Sequence, residues 1–266
     1  MIHFLPSRPV VLELFGFSIH WYGLLYVLSF VIALTLLPRL QRLRGLDLSR
    51  DTWLDIVAWS VAGVLVGGRL GFVLLYEPRY FLEHPLHVFA VWEGGMASHG
   101  GFIGVSLVIL YISWKNSMNV WQLADIATVP GAIGLGLGRI GNFINQELYG
   151  TVTTLPWGVV FPDAIGPRHP IQIYDFFLMS CIAGICLLML RKGIPAQRGR
   201  IFAIFLMLYG IIRFCLEYVR AQDYPFTVIG PIVLTRGQLF TLPLFFFGVL
   251  LWFLLPLYAG DREASA

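Results

Sequence analysis

Arg139, Asn142, Asn145, Gln146 and Glu147 close the stretch 131–150, which reads GAIGLGLGRIGNFINQELYG. The stretch begins apolar and glycine-spaced, as a membrane-embedded segment does, and ends in this dense set of hydrogen-bonding groups. Lipid tails cannot satisfy such groups, so they face protein, water or a polar ligand. A guanidinium beside amides and glycines suits a phosphate-bearing partner. Arg offers a planar fork of donors, and glycine lets backbone approach closely. The competing reading is a helix end whose Arg reaches out to a lipid headgroup.

The elements that hold these residues follow from composition. The chain is 58% hydrophobic and 12% charged, with a mean hydropathy of +0.77. A spanning helix needs about 20 mostly apolar residues, and roughly seven such windows are present. They lie near residues 17–37, 53–76, 92–114, 121–138, 171–190, 201–219 and 238–257. The expected fold is an all-α polytopic membrane protein, a single integral membrane domain over residues 1–266. Segment 141–170 is too polar and too rich in Gly, Pro and Thr to span, and is expected as an extramembrane arm between helices four and five. The tail 261–266 is expected to be disordered.

Several function classes drop out. The net charge of +3 is dispersed among loops, which argues against nucleic acid. Cys181, Cys186 and Cys215 match no disulfide or zinc spacing and read as packing residues. His84 and His87 read as surface histidines rather than a metal pair. Met1–Phe17 lacks the basic start, apolar run and small-residue site of a cleavable signal peptide, so the first helix is expected to direct insertion.

Basic residues set the orientation. Arg39, Arg42, Arg44, Arg50, Lys115, Arg191, Lys192, Arg198, Arg200 and Arg262 fall in the loops after helices one, three and five and in the tail. By the positive-inside rule that side is cytoplasmic, with the N-terminus outside and the C-terminus inside. At about 1.5 Å per residue, this topology places His20, Tyr22, Arg69, His99, Arg139, Arg213, Glu217, Arg220, Arg236 and Gln238 in the outer half of the membrane. Ionisable groups inside membrane helices are expensive and are functional suspects. Their placement on one side implies a single hydrophilic pocket facing outward. Taken singly, Arg213 and Glu217 also fit a structural i, i+4 ion pair, and His20 and Tyr22 fit interfacial anchors. Gly67, Gly68 and Gly71, and Gly134, Gly136, Gly138 and Gly141, fit close helix packing or ligand access. Gly68-Arg69-Leu70-Gly71 faintly echoes Gly138-Arg139-Ile140-Gly141, as an internal repeat would.

The run from Gly138 to Gly150, GRIGNFINQELYG, closely resembles the signature of bacterial prolipoprotein diacylglyceryl transferases. His20-Trp21-Tyr22-Gly23 resembles the family's first-helix motif, and Trp92-Glu93-Gly94-Gly95-Met96 through His99-Gly100-Gly101 its third. Arg168-His169-Pro170 with Gln172 and Tyr174 resembles the segment leading into helix five. Tyr209-Gly210, Arg213, Glu217 and Arg220 resemble the sixth-helix pattern. These blocks cover nearly the whole chain. The sequence departs from the pattern at Gln146, where glycine is usual before the Glu, and at Arg236, where a smaller or apolar residue is common. The arm between Gly150 and Arg168 is also short.

The resemblance implies transfer of the diacylglyceryl group of phosphatidylglycerol to the thiol of a lipobox cysteine in a prolipoprotein signal peptide. A thioether forms and glycerol phosphate leaves, the first step of bacterial lipoprotein maturation. It implies a multi-pass protein of the bacterial cytoplasmic (inner) membrane with its active site toward the periplasmic face. Such chemistry must hold an anionic phosphate, favour thiolate and exclude water. Arg139 and Arg213 are the expected phosphate ligands, and their field would favour the thiolate nucleophile. His99 is the expected general base, although a residue beside Gly100 and Gly101 equally suits hydrogen bonding to lipid. Tyr22, Arg69, Gly100, Gly101, Asn142, Glu147, Gly150, Glu217 and Arg220 are the expected substrate- and lipid-binding residues. Glu147 also fits an ion pair that holds the arm shut. No metal and no organic cofactor is implied. Membrane lipids are expected to enter sideways between helices.

Two other classes remain in view. A small transporter or lipid-binding protein would need a matching polar cluster facing the cytoplasm, where Asp55 and Asp125 stand near helix starts. An intramembrane protease would need a Ser–His pair or two aspartates at depth. Ser98 and Ser106 lie near His99 in sequence, but no Gly-x-Ser-x-Gly run accompanies them.

Overall fold

A computed structural model describes residues 2–3, 10–14, 17–91, 94–222, 226–229 and 231–263. Trp92 and Glu93 of the third-helix motif and residues 264–266 of the tail lie outside the described residues. Among the described residues, eight α-helices follow in order: α1 Trp21–Leu40, α2 Arg50–Leu75, α3 Pro78–Glu83, α4 Ser98–Lys115, α5 Val120–Ile144, α6 Ile171–Lys192, α7 Arg200–Leu216 and α8 Arg236–Glu263. Among the described residues six helical segments are long and apolar enough to cross a membrane, and Gly100–Lys115 is a shorter apolar helix. The protein is an all-α, multi-pass membrane protein.

Three boundaries differ from expectation. Helix three begins at Ser98, because Gly94 and Gly95 adopt φ of 87° and 75°, a left-handed backbone that a right-handed helix cannot contain. Helix four continues through the polar motif to Ile144, so Arg139 and Asn142 sit in its last turns rather than beyond it. Asp261–Glu263 are helical, where the tail was expected to be disordered, because α8 runs on past its apolar segment.

Two compact units make up the chain: residues 33–124, and residues 1–32 together with 125–266. In the first, α2 and α4 pack antiparallel along glycines. A Cβ on Gly67, Gly100 or Gly104 would overlap the backbone of the facing helix, the close approach that small residues permit in membranes. Arg69 is 5% exposed. Its Nε donates to Val88 O, its Nη1 to Gly94 O and Gly95 O, and its Nη2 to His87 O. Four of the five N–H donors of this guanidinium thus fasten the connection that leads into α4.

In the second unit, α6, α7 and α8 pack in sequence order. A Cβ on Gly210 of α7 would lie 2.8 Å from the Phe245 Cβ, and one on Gly248 of α8 would lie 2.8 Å from Ala203 O. The arm after α5 carries β4 (Val159–Val160), paired with β1 (Ile2–His3) and with β5 (Pro167–Arg168). It is pinned to the end of α7 by Thr151 N donating to Val219 O at 2.8 Å and by the bridge of Gly150 with Arg220. Two hairpins complete the unit, β2 (Val10–Leu14) with β3 (Phe17–His20), and β6 (Thr227–Ile229) with β7 (Ile232–Leu234). The cysteines are free thiols.

The start of α7 is capped from another helix. Gly199 has no side chain to cap with, and Asp125 of α5, fully buried, accepts from Gly199 N and Phe202 N at 2.9 Å each. Asp125→Ala is expected to cost about 2 kcal/mol, and Asp125→Asn, which keeps one acceptor, about 1 kcal/mol. Thermal unfolding in detergent measures both, and an unchanged midpoint in the alanine variant would refute the cap.

Candidate active site

Arg139 is held in the last turns of α5 by two different edges. Its Nε meets Asp175 Oδ2 of α6 at 2.7 Å, and Nη1 donates to Asn142 Oδ1 at 3.2 Å. Asn142 passes the contact on, donating from Nδ2 to Glu147 Oε1 at 2.8 Å, and Asn145 donates to the same oxygen at 3.3 Å. Gln172 of α6 fixes the backbone there, with Nε2 donating to Glu147 O at 2.7 Å. Arg139 Nη2 keeps no partner among the described residues, and the side chain remains 27% exposed.

Glu147 sits on a strained turn. Gln146 and Leu148 have φ of 59° and 57°, a left-handed conformation worth about 1–3 kcal/mol of strain per non-glycine residue. A glycine at position 146 would adopt it freely, whereas here the turn is held by contacts: Gln146 N to Phe143 O, Glu147 N to Asn142 O, and the Gln172 bond. Tyr22 of α1 packs its ring over Gly141, where a Cβ would lie 2.5 Å from the ring. Its hydroxyl is 3.3 Å from that of Tyr26.

A second cluster centres on Glu217, which is 2% exposed. Its Oε1 accepts from Arg213 Nη2 at 2.6 Å and Arg220 Nη1 at 2.9 Å. Its Oε2 accepts from Gln222 Nε2 at 3.1 Å and Thr235 Oγ1 at 3.0 Å. The carboxylate is therefore fully engaged. The Thr235 hydroxyl also accepts from Gln238 N, and Gln238 Oε1 accepts from Thr235 N, a reciprocal cap on α8. Arg213 Nε and Nη1 have no partner among the described residues.

The two clusters interact electrostatically. Arg213 feels Arg139, Asp175 and Glu217, and the Tyr209 ring lies within range of all four. Tyr22 is coupled to Arg139 and Glu147. Among the described residues, the two clusters bring together three arginines, Arg139, Arg213 and Arg220, and three carboxylates, Glu147, Asp175 and Glu217. Asp175 takes one edge of Arg139, and Glu217 takes one edge each of Arg213 and Arg220, leaving other edges of Arg139 and Arg213 to receive an anion.

The remaining sequence-selected residues fall as follows. Gly150 packs against His169 and Val219, where a Cβ would clash. Gly100 is engaged in the α2–α4 contact, and Gly101 stands at ordinary distance from Val64. Arg69 is bound to backbone carbonyls. His99 belongs to the first turn of α4, and its side chain lies outside the described residues. The sequence reading did not select Asp175, Gln172, Tyr209, Thr235 or Gly237 as site residues. Asp175 carried a usable signal, a carboxylate inside an apolar window, which is the criterion that singled out Glu217.

The family model for prolipoprotein diacylglyceryl transferase matches residues 9–254. Curated relatives bear the name phosphatidylglycerol–prolipoprotein diacylglyceryl transferase. One from Geobacter sulfurreducens is 42% identical over 244 residues, covering 91% of this chain and 92% of its own. Another, from Bordetella avium, is 40% identical over 259 residues, 96% and 97% of the two chains. A third, from Pseudomonas entomophila, is 42% identical over 272 residues, 100% and 98% of the two. From end to end, then, the chain belongs to the prolipoprotein diacylglyceryl transferase family.

Proposed function

We infer that this chain transfers the diacylglyceryl group of phosphatidylglycerol to a prolipoprotein, the reaction in its relatives' names and the first step of lipoprotein maturation. The acceptor is the thiol of a lipobox cysteine next to the signal helix. Sulfur attacks the glyceryl carbon that carries the phosphate ester. The carbon–oxygen bond breaks, its electron pair leaves with glycerol phosphate, and the thiol proton passes to a base.

The observation that carries this reading is the divided use of Arg139. One edge is locked to Asp175 and one to Asn142, while Nη2 is left to meet a phosphate oxygen. Arg213, braced by Glu217, supplies a second guanidinium. Both would stabilise charge gathering on the departing phosphate, in surroundings where each is paired with a carboxylate and neither arginine repels its neighbours unchecked. Tyr22, Asn142 and Glu147 orient the headgroup, and His99 accepts the thiol proton. Arg69, Gly100 and Gly101 serve by fixing the start of the helix that carries His99. Gly150, Glu217 and Arg220 join the arm to the end of α7. We place the protein in the bacterial inner membrane with this site on the periplasmic face, where a signal helix would present its cysteine.

The test is a purified-protein assay with phosphatidylglycerol and a single-cysteine lipobox peptide, followed by mass spectrometry. A diacylglyceryl mass gain on the peptide, absent when the thiol is alkylated beforehand, is expected. An unmodified peptide alongside retained phosphatidylglycerol binding would refute the transfer.

A further inference from the structure

One face of α6 carries two buried acceptors with nothing to accept. Gln172 and Asp175, three residues apart and so on the same side of the helix, are 2% and 3% exposed. Each has one working end: Gln172 Nε2 donates to Glu147 O, and Asp175 Oδ2 holds Arg139 Nε. The other end of each, Gln172 Oε1 and Asp175 Oδ1, is buried without a hydrogen-bond donor among the described residues. Asn145 Oδ1, on the turn that carries Glu147, is in the same condition. A buried oxygen left in this way is destabilising, and native chains keep such atoms where a donor arrives. Here three of them surround the two groups, Arg139 and Glu147, that the proposed reaction assigns to phosphate and headgroup.

The missing donors have a definite chemistry. Arginine edges answer the phosphate, and they cannot answer a hydroxyl hydrogen. Asp175 is already paired with Arg139, so it acts as a charge-assisted acceptor rather than as an anion seeking a cation. Two acceptors one helical turn apart match a vicinal diol, which brings two O–H donors and no charge. We propose that Gln172 Oε1 and Asp175 Oδ1 accept the hydroxyls of the phosphatidylglycerol headgroup and so set headgroup specificity. This inference rests on the diacylglyceryl transfer proposed above. Asp175 then joins recognition to chemistry, since the carboxylate that reads the diol also aims the phosphate-binding guanidinium.

The experiment compares phosphatidylglycerol with phosphatidylpropanol, which keeps the phosphodiester and the three-carbon headgroup but lacks both hydroxyls. Transfer to the lipobox peptide is followed with full-length wild type, Asp175→Asn, Gln172→Met and Gln172→Glu. A site built around hydroxyl donors rejects an analogue that lacks them, so wild type is expected to favour phosphatidylglycerol in kcat/KM by about 100-fold or more. Asn at 175 must turn its oxygen toward Arg139 and present an N–H to the diol. Met at 172 offers no acceptor. In both, the ratio between the lipids is expected to fall below about tenfold, chiefly through loss of phosphatidylglycerol, while Gln172→Glu, which keeps an acceptor but loses the Nε2 donor to Glu147 O, is expected to keep the ratio at a lower rate with both lipids.

Because the readout is a ratio, general damage to the fold does not move it, and two positions guard against one variant failing to fold. A wild-type ratio near one overturns the proposal. So do Asp175→Asn and Gln172→Met if they lose both lipids in equal proportion, which would leave Asp175 as a brace for Arg139 and nothing more. Wild type inactive with both lipids is a different result, and it removes the transferase reading itself.

Discussion

Arg139→Lys is expected to lower kcat for transfer about a hundredfold, and Arg139→Ala about a thousandfold. The difference between them comes from geometry. Arg139 divides one planar group three ways: Nε meets Asp175 and Nη1 meets Asn142, and the proposed reaction gives Nη2 to the substrate phosphate. A lysine ammonium is a point charge with rotating donors. It neutralises Asp175 but cannot span all three directions at once. Alanine removes the charge altogether and leaves the Asp175 carboxylate buried and unpaired, which destabilises proteins by about 3–5 kcal/mol. The two variants therefore separate chemistry from folding. Arg139→Lys should unfold close to the wild-type temperature while losing activity, and Arg139→Ala should lose both. Wild-type turnover in the lysine variant would mean that a positive charge suffices and that the guanidinium fork is not what the reaction uses.

Much of this site was legible in the sequence, and the reason is the membrane. Burying a charge in apolar surroundings is so unfavourable that Arg139, Arg213 and Glu217 stood out by position alone, and the signature around Arg139 added a family. What the sequence did not carry was pairing. Arg139 and Arg213 were expected to supply a positive field, yet Asp175 pairs with Arg139 and Glu217 with Arg213 and Arg220, because a charge buried without a partner is costly. Asp175 stands in the first turns of an otherwise mostly apolar helix, and its partner Arg139 lies on the preceding helix α5, so nothing in the sequence pointed to the pairing. Arg69 illustrates the converse. Its depth resembled that of Arg139, but it closes on backbone carbonyls where Arg139 closes on a carboxylate. The echo between the two GRxG runs thus has no shared role: Gly71 packs on the Gly100 backbone and Gly141 on the Tyr22 ring.

Helix ends were the least legible feature. The apolar windows located the spans, but the start of α4 is set by two left-handed glycines, and the end of α5 by side chains that satisfy one another beyond the apolar run. Asp125 shows the same limit. Near a helix start it fitted a cytoplasmic transport site, but both its oxygens are engaged in capping α7. That engagement removes one of the two residues on which a transport reading relied.

Gly237→Ala is expected to reduce transfer about a hundredfold or more and to destabilise the protein by about 3 kcal/mol. At the start of α8, Gly237 faces the Glu217 carboxylate so closely that an added Cβ would overlap both carboxylate oxygens and the carbon between them. Glu217 has no room to yield, because its four partners come from α7, the segment after it and the residue before α8. Moving the carboxylate breaks those bonds and frees Arg213 from the geometry that aims it. Moving α8 instead breaks the reciprocal Thr235–Gln238 cap. Gly131→Ala and Gly184→Ala are the matched controls, since a Cβ at either meets no atom within 4 Å. In a helix such a change is neutral to stabilising by up to about 1 kcal/mol. Thr235→Ser, which keeps the hydroxyl but removes a methyl, should leave transfer nearly intact. Full activity in Gly237→Ala would mean that the Glu217 carboxylate can rotate away without consequence, and that its contacts with Arg213 and Arg220 do not hold the arginines in their working positions.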